Sequence, residues 1–69
     1  MSYMSELAMV ADMLEAFDDR CRSRAVLFSG INEAVPDFFD LDPAQRRFII
    51  DHLARTGRRT LADMLRVVS

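Results

Sequence analysis

One apolar stripe dominates the first thirty residues. Tyr3, Leu7, Val10, Leu14, Phe17, Cys21, Ala25 and Phe28 recur at intervals of three and four, which keeps them on one side of a 3.6-residue helix. Met9, Met13 and Leu27 widen the apolar arc to roughly 160°, more than one neighbouring helix covers. A single helix over this stretch would run roughly 39 Å from Tyr3 to Phe28. A compact chain of 69 residues has a radius of gyration near ~11 Å, so part of such a rod would project beyond its own globule. The stripe therefore predicts a helix that needs shielding by a second polypeptide.

Size sharpens that expectation. A core drawn from so short a chain is marginal, and a disulfide, a metal or self-association usually supports it. Cys21 is the only cysteine and His52 the only histidine, so neither an internal disulfide nor a zinc site is available. Self-association remains. With 51% hydrophobic residues the chain has the apolar content of a folded domain. Its longest apolar run, residues 7–11, is far too short for a bilayer, and no segment resembles a secretion leader, so the expected location is cytoplasmic with no membrane role.

The rest of the chain divides at turn and cap residues. Helix 1 is expected over about residues 3–29, capped by Ser2 or Ser5, with Glu6 in its first turn and Gly30 as its C-terminal stop. The crowded charges of residues 20–24 are its weak point, but no glycine or proline interrupts it. Residues 30–42 are expected as a loop, because Pro36 disfavours helix at Val35. Helix 2, about 43–56, opens on a capping box: Asp42 as cap, Pro43 in the first helical position, Gln45 reaching back. It ends at Thr56-Gly57. Ile49, Ile50 and Leu53 form its main apolar face, with Phe48 and Ala44 on another side. Helix 3, about 60–68, would start at Thr60 with Asp63 in the same capping role and bury Leu61, Met64, Leu65 and Val68. The fold class is all-α, a single domain with one long helix, a proline-containing loop and a short C-terminal hairpin.

No catalytic constellation emerges. Asp51 and His52 are adjacent and point about 100° apart on a helix, so they do not form an acid–base pair. No serine or cysteine has a placed base. Asp37, Asp40 and Asp42 lack the glycine and terminal glutamate of a calcium loop, and Asp42 is already used as a cap. These residues indicate a protein that is not an enzyme and carries no cofactor or metal.

Charge is uneven. Residues 1–43 hold nine acids and three arginines, net −6, and residues 44–69 hold two acids and six arginines, net +4. The basic hairpin has the outline of a helix-turn-helix. However, Arg58 and Asp63 fall where such a motif buries apolar residues, the second helix is short, and the pI is 5.1. Nucleic acid is accordingly the secondary reading, and a structural subunit of a larger helical assembly the third. The leading expectation is a small regulator of inhibitor or anti-activator type that works by protein–protein contact as a homodimer. Its dimer interface would be Tyr3, Leu7, Val10, Leu14, Phe17 and Cys21. Its larger protein partner would meet the loop residues Phe38, Phe39 and Leu41 with Arg46, Arg47, Arg58 and Arg59, since aromatics and arginine anchor interfaces, although a core this small also needs large side chains and favours Phe38 and Phe39 as plugs between helix 1 and the hairpin.

Overall fold

The computed structural model describes residues 3–69, with side chains from Glu6 onward. The described chain is all-helical. Five helices follow in order: α1 Tyr3–Arg20, α2 Arg24–Ala34, α3 Pro36–Phe39, α4 Pro43–Arg55 and α5 Arg59–Val68. α1 packs against α2 and α4, α2 against α3, and α4 against α5.

The long N-terminal helix expected over 3–29 is two helices. α1 stops at Arg20, and Ser23 starts α2 with extended backbone and a side chain that accepts a 3.2 Å hydrogen bond from the Val26 amide. That cap stabilises the new helix start by about 1 kcal/mol. The break leaves Asp18 and Asp19 at the negative end of the α1 dipole, an unfavourable placement that the Arg58 guanidinium offsets. Its larger effect is on packing. After the turn, Leu27 and Ile31 point into the core while Phe28 is 48% exposed, so the inward face of α2 is not the continuation of the α1 stripe. The described chain then fits within 33 × 24 × 19 Å with a radius of gyration of 11.0 Å. A straight rod to Phe28 would not.

The expected loop at 30–42 is mostly helix as well. α2 runs through Gly30 to its end at Ala34, and α3 follows at once with Pro36 at its start. Gly30 is therefore not a helix stop. A Cβ there would lie 3.3 Å from Cζ of Phe17, so glycine lets α2 approach α1 closely under that ring. Pro36 excludes Val35 from regular helix, consistent with its φ of −134° and ψ of 68°, yet it serves as the first residue of the next turn. Ser5 lies inside α1 and does not cap it, and Ser2 lies outside the described residues.

The C-terminal hairpin matches its local signals. Asp42 Oδ1 accepts from the Gln45 amide at 2.8 Å, and Gln45 Oε1 accepts from the Asp42 amide at 3.0 Å, completing the capping box. At the far end Gly57 adopts φ +93°, the Arg58 amide donates to Leu53 O at 2.9 Å and the Gly57 amide to Ala54 O at 3.4 Å. This pair of bonds closes α4 in a Schellman motif. α5 begins one residue before the expected start, at Arg59, with no side-chain cap. Asp63 instead accepts from Arg66 at 2.9 Å.

The core joins Leu7, Val10 and Leu14 of α1 to Leu27, Ile31, Val35, Phe38, Ile49, Ile50, Leu53, Leu61, Met64 and Leu65. The centre of the α1 stripe is thus covered from within: Leu7, Val10 and Leu14 are buried by the chain's own helices, Phe17 and Cys21 are half-exposed at its end, and Met9 on its flank is exposed. The need for an outside shield, which motivated a dimer through this face, is removed. Tyr3's side chain lies outside the described residues.

Candidate functional site

α1 and α4 leave an apolar groove between them. On α1 the small side chains of Ala8 and Ala11 lie near Leu7 and Asp12. On α4, Phe48 and His52 stand one helical turn apart. The groove has a volume of about 350 Å³. Two alanines across from an aromatic leave open space beside Phe48, which is 43% exposed. α4 thus has two apolar sides because one faces the core and the other this groove. The carboxylate of Asp12 and the imidazole of His52 supply polar groups within an otherwise greasy lining. Such a concavity suits a large apolar side chain held beside a basic one.

An ion cluster lies nearby. Arg58, in the turn between α4 and α5, reaches back to the C-terminal part of α1. Its Nη1 donates to Asp18 Oδ2 and Asp19 Oδ1, each at 2.9 Å, its Nη2 donates to Asp19 Oδ2 at 3.5 Å, and its Nε lies 3.6 Å from Glu15 Oε2. His52 Nε2 is 4.0 Å from the other Glu15 oxygen. The hydrogen bond from Arg58 holds the Asp19 carboxyl below the usual carboxylate range, and the bonds to Asp19 and then Asp18 push the Arg58 guanidinium further up. Because Asp19 binds its proton more weakly when folded than when unfolded, its contribution is complete above ~3.9 and is lost as pH falls through the folded value. Asp19→Asn is expected to flatten the acid limb of the melting temperature, by a few degrees at most because the pair is exposed. Coincident acid limbs in graded-pH melts of parent and variant would show that the bond contributes nothing.

The residues expected to meet a partner do not assemble into one surface. Phe38 is fully buried, and Phe39, half-buried, stacks edge-on against it with ring centroids 5.1 Å apart. Leu41 is half-buried against the core. Arg46 Nη1 donates to the carbonyls of Leu41 at 2.9 Å and Phe39 at 3.5 Å, closing the end of α3. Arg58 is engaged by α1. Arg47 and Arg59 remain exposed. Within the hairpin Arg66 is bonded to Asp63 and lies 3.8 Å from Asp51. Both of those acids are already counted in the net +4 of residues 44–69, so it is the α1 carboxylates of Glu15, Asp18 and Asp19, gathered around Arg58, that lower the field available to a polyanion.

Asp51 and His52 diverge, one toward Arg66 and the other toward Glu15. Among the described residues no group of three His, Cys, Asp or Glu side chains converges as a metal site, and no helix is long and apolar enough to cross a membrane. Sequence reasoning placed Phe48 on a second apolar side but did not connect it with Ala8 and Ala11. The signal available was Ala8 and Ala11, small residues three apart among the bulky side chains of Leu7, Met9, Val10, Met13 and Leu14. Compared with protein families, curated proteins and solved structures, the chain shows no match.

Proposed function

We propose that this chain is a small non-enzymatic regulator of inhibitor or anti-activator type that binds another protein through the α1–α4 groove. The observation that carries the reading is Phe48, a large aromatic left 43% exposed beside Ala8 and Ala11 in an apolar groove, on a helix whose other apolar side is set in the core. The partner segment that fits is an amphipathic helix or strand with one large apolar anchor for the groove and a basic residue beside it for Asp12. The acidic exposed side of α1, with Glu6 and Asp12, favours approach by a basic surface.

Phe48→Glu tests this directly. The side chain faces the groove, so the variant keeps the helical circular-dichroism spectrum of the parent while binding of the partner weakens by a factor of about 100 or more, as for an aromatic anchor. Affinity capture with parent and variant side by side, followed by titration of the captured protein, supplies the measurement. A partner that binds both equally, or a parent that retains no stoichiometric protein, refutes the assignment. A partner displaced by salt and nuclease and insensitive to Phe48 would instead indicate the nucleic-acid reading.

A further inference from the structure

A second apolar patch lies away from that groove, where α2 meets α5. Phe28, Met64 and Val67 surround a shallow cavity of about 180 Å³ whose remaining lining is Arg24, Thr60 and Asp63. Val67 is 74% exposed and Phe28 48%, the former being the most exposed large apolar side chain of the described core-forming helices. The patch exists because of the break at residues 21–23. Turning α2 about its new cap brings Leu27 and Ile31 inward and leaves Phe28, the last residue of the original stripe, facing outward.

We infer that this face is where two copies of the chain associate about a two-fold axis. The charge pattern selects that occupant. The lining holds one cation and one anion, Arg24 on α2 and Asp63 on α5, which are not ion-paired with each other. Among the described residues Asp63 is bonded to Arg66 through Oδ1 and accepts no side-chain hydrogen bond on Oδ2, and Arg24 has no carboxylate within 4.0 Å. A two-fold interface brings each residue of one copy to its complement on the other, so a lining in which an unpaired cation and a carboxylate with a free oxygen flank an apolar centre is complementary to itself. Arg24 of one copy then meets Asp63 of its partner, twice, while Phe28 and Val67 fill the facing cavities. A face with both charges of one sign would repel a copy and suit an oppositely charged stranger. This surface is distinct from the α1–α4 groove, so a dimer leaves that groove free on both copies. It also supplies the external support that a 69-residue core lacks.

Charge reversal at the rim provides the test. Sedimentation equilibrium over a wide concentration range is expected to show a monomer–dimer equilibrium for the parent. Arg24→Glu and Asp63→Arg each place like charges in both rim contacts, and each is expected to weaken self-association at least about tenfold. Mixed in equal amounts, the two variants regain a dimer of parental affinity. In that mixed dimer one rim contact joins the two substituted side chains with their charges exchanged, and the other keeps the original Arg24–Asp63 pair. Phe28→Ser, exposed and therefore tolerated by the fold, removes the apolar centre from both copies and abolishes the dimer. A parent that stays monomeric at millimolar concentration, or variants that associate like the parent, or a mixture that fails to recover, would each overturn the inference. So would trimers or open-ended oligomers. Phe48→Glu serves as a control: it leaves self-association unchanged, which separates failure of this interface from failure of the groove.

Discussion

Leu14→Arg is expected to unfold the isolated chain. Leu14 has no exposed surface and sits where α1 meets the rest of the core. An arginine there either buries a guanidinium without a partner or forces α1 off α4. Breaking burial in this way costs about 3–5 kcal/mol, on the scale of an uncompensated buried charge. A core drawn from fewer than about 70–80 residues rarely supplies more than about 3–5 kcal/mol. The two numbers are comparable, so the variant loses its helical circular-dichroism signal at room temperature and shows no cooperative melt. Phe17→Arg, one turn further along the same stripe, behaves differently. Phe17 is half-exposed over Gly30, and a long side chain can lie along that surface with its charge in water, so the fold survives with a lower melting temperature. Had the stripe been an intermolecular seam, both variants would give folded monomers. Circular dichroism together with sedimentation of the pair separates the two cases, and a folded, monomeric Leu14→Arg chain would restore the seam.

How much of this fold could be read from the chain depends on whether a signal is local. The capping box at Asp42, Pro43 and Gln45 and the turn at Gly57 each rest on residues within five positions of one another, and both structures form as the spacing implies. The break at residues 21–23 is also local, since Ser23 precedes an ordinary helical sequence, but the stripe conceals it. Ala25 and Phe28 keep the three-and-four spacing across the break, so periodicity cannot report it. A second run, Leu27, Ile31 and Val35 at intervals of four, was equally present, and burial went to that one. Choosing between the two needed the position of α4, which no local pattern supplies. Gly30 shows the same limitation from another side: its missing side chain matters because of Phe17, thirteen positions away, rather than because of its own backbone.

The site was less legible still. Counting charges makes residues 44–69 a basic surface, yet Arg58 is folded onto Glu15, Asp18 and Asp19 and Arg46 onto the end of α3. The Arg58 pairs, separated by about forty positions, carry no spacing rule, and the Arg46 bonds go to backbone carbonyls that every residue has, so arginines that hold the fold look the same in sequence as arginines that await a partner. The groove at Phe48 and the patch at Phe28 are both products of tertiary placement. Each aromatic is visible in the sequence, but its exposure follows from which face of its helix the core selected.

Phe38→Ala is the second substitution with a large expected effect, and it bears on the same question at the Phe38–Phe39 pair. Phe38 is fully enclosed and is the largest such side chain among the described residues. α3 spans only Pro36–Phe39, too short to persist by itself, so its position depends on that ring. Truncation removes the transfer energy of the side chain and leaves a cavity, about 3–5 kcal/mol together for a buried phenylalanine. The edge-on contact with Phe39 adds about 0.5–1.5 kcal/mol. Phe39→Ala loses the same aromatic contact but much less burial, and Arg46 still closes α3 through the Leu41 carbonyl. Urea unfolding is therefore expected to show Phe38→Ala largely unfolded before denaturant is added, with Phe39→Ala folded and shifted to a lower midpoint. Equal midpoints for the two variants would mean that neither ring is set in the core as described. A Phe38→Ala chain as stable as the parent but impaired in partner binding would return the pair to the role of an exposed anchor. The large difference between adjacent phenylalanines is the sharper expectation, because their chemistry and place in the sequence are nearly the same and only enclosure by the core distinguishes them.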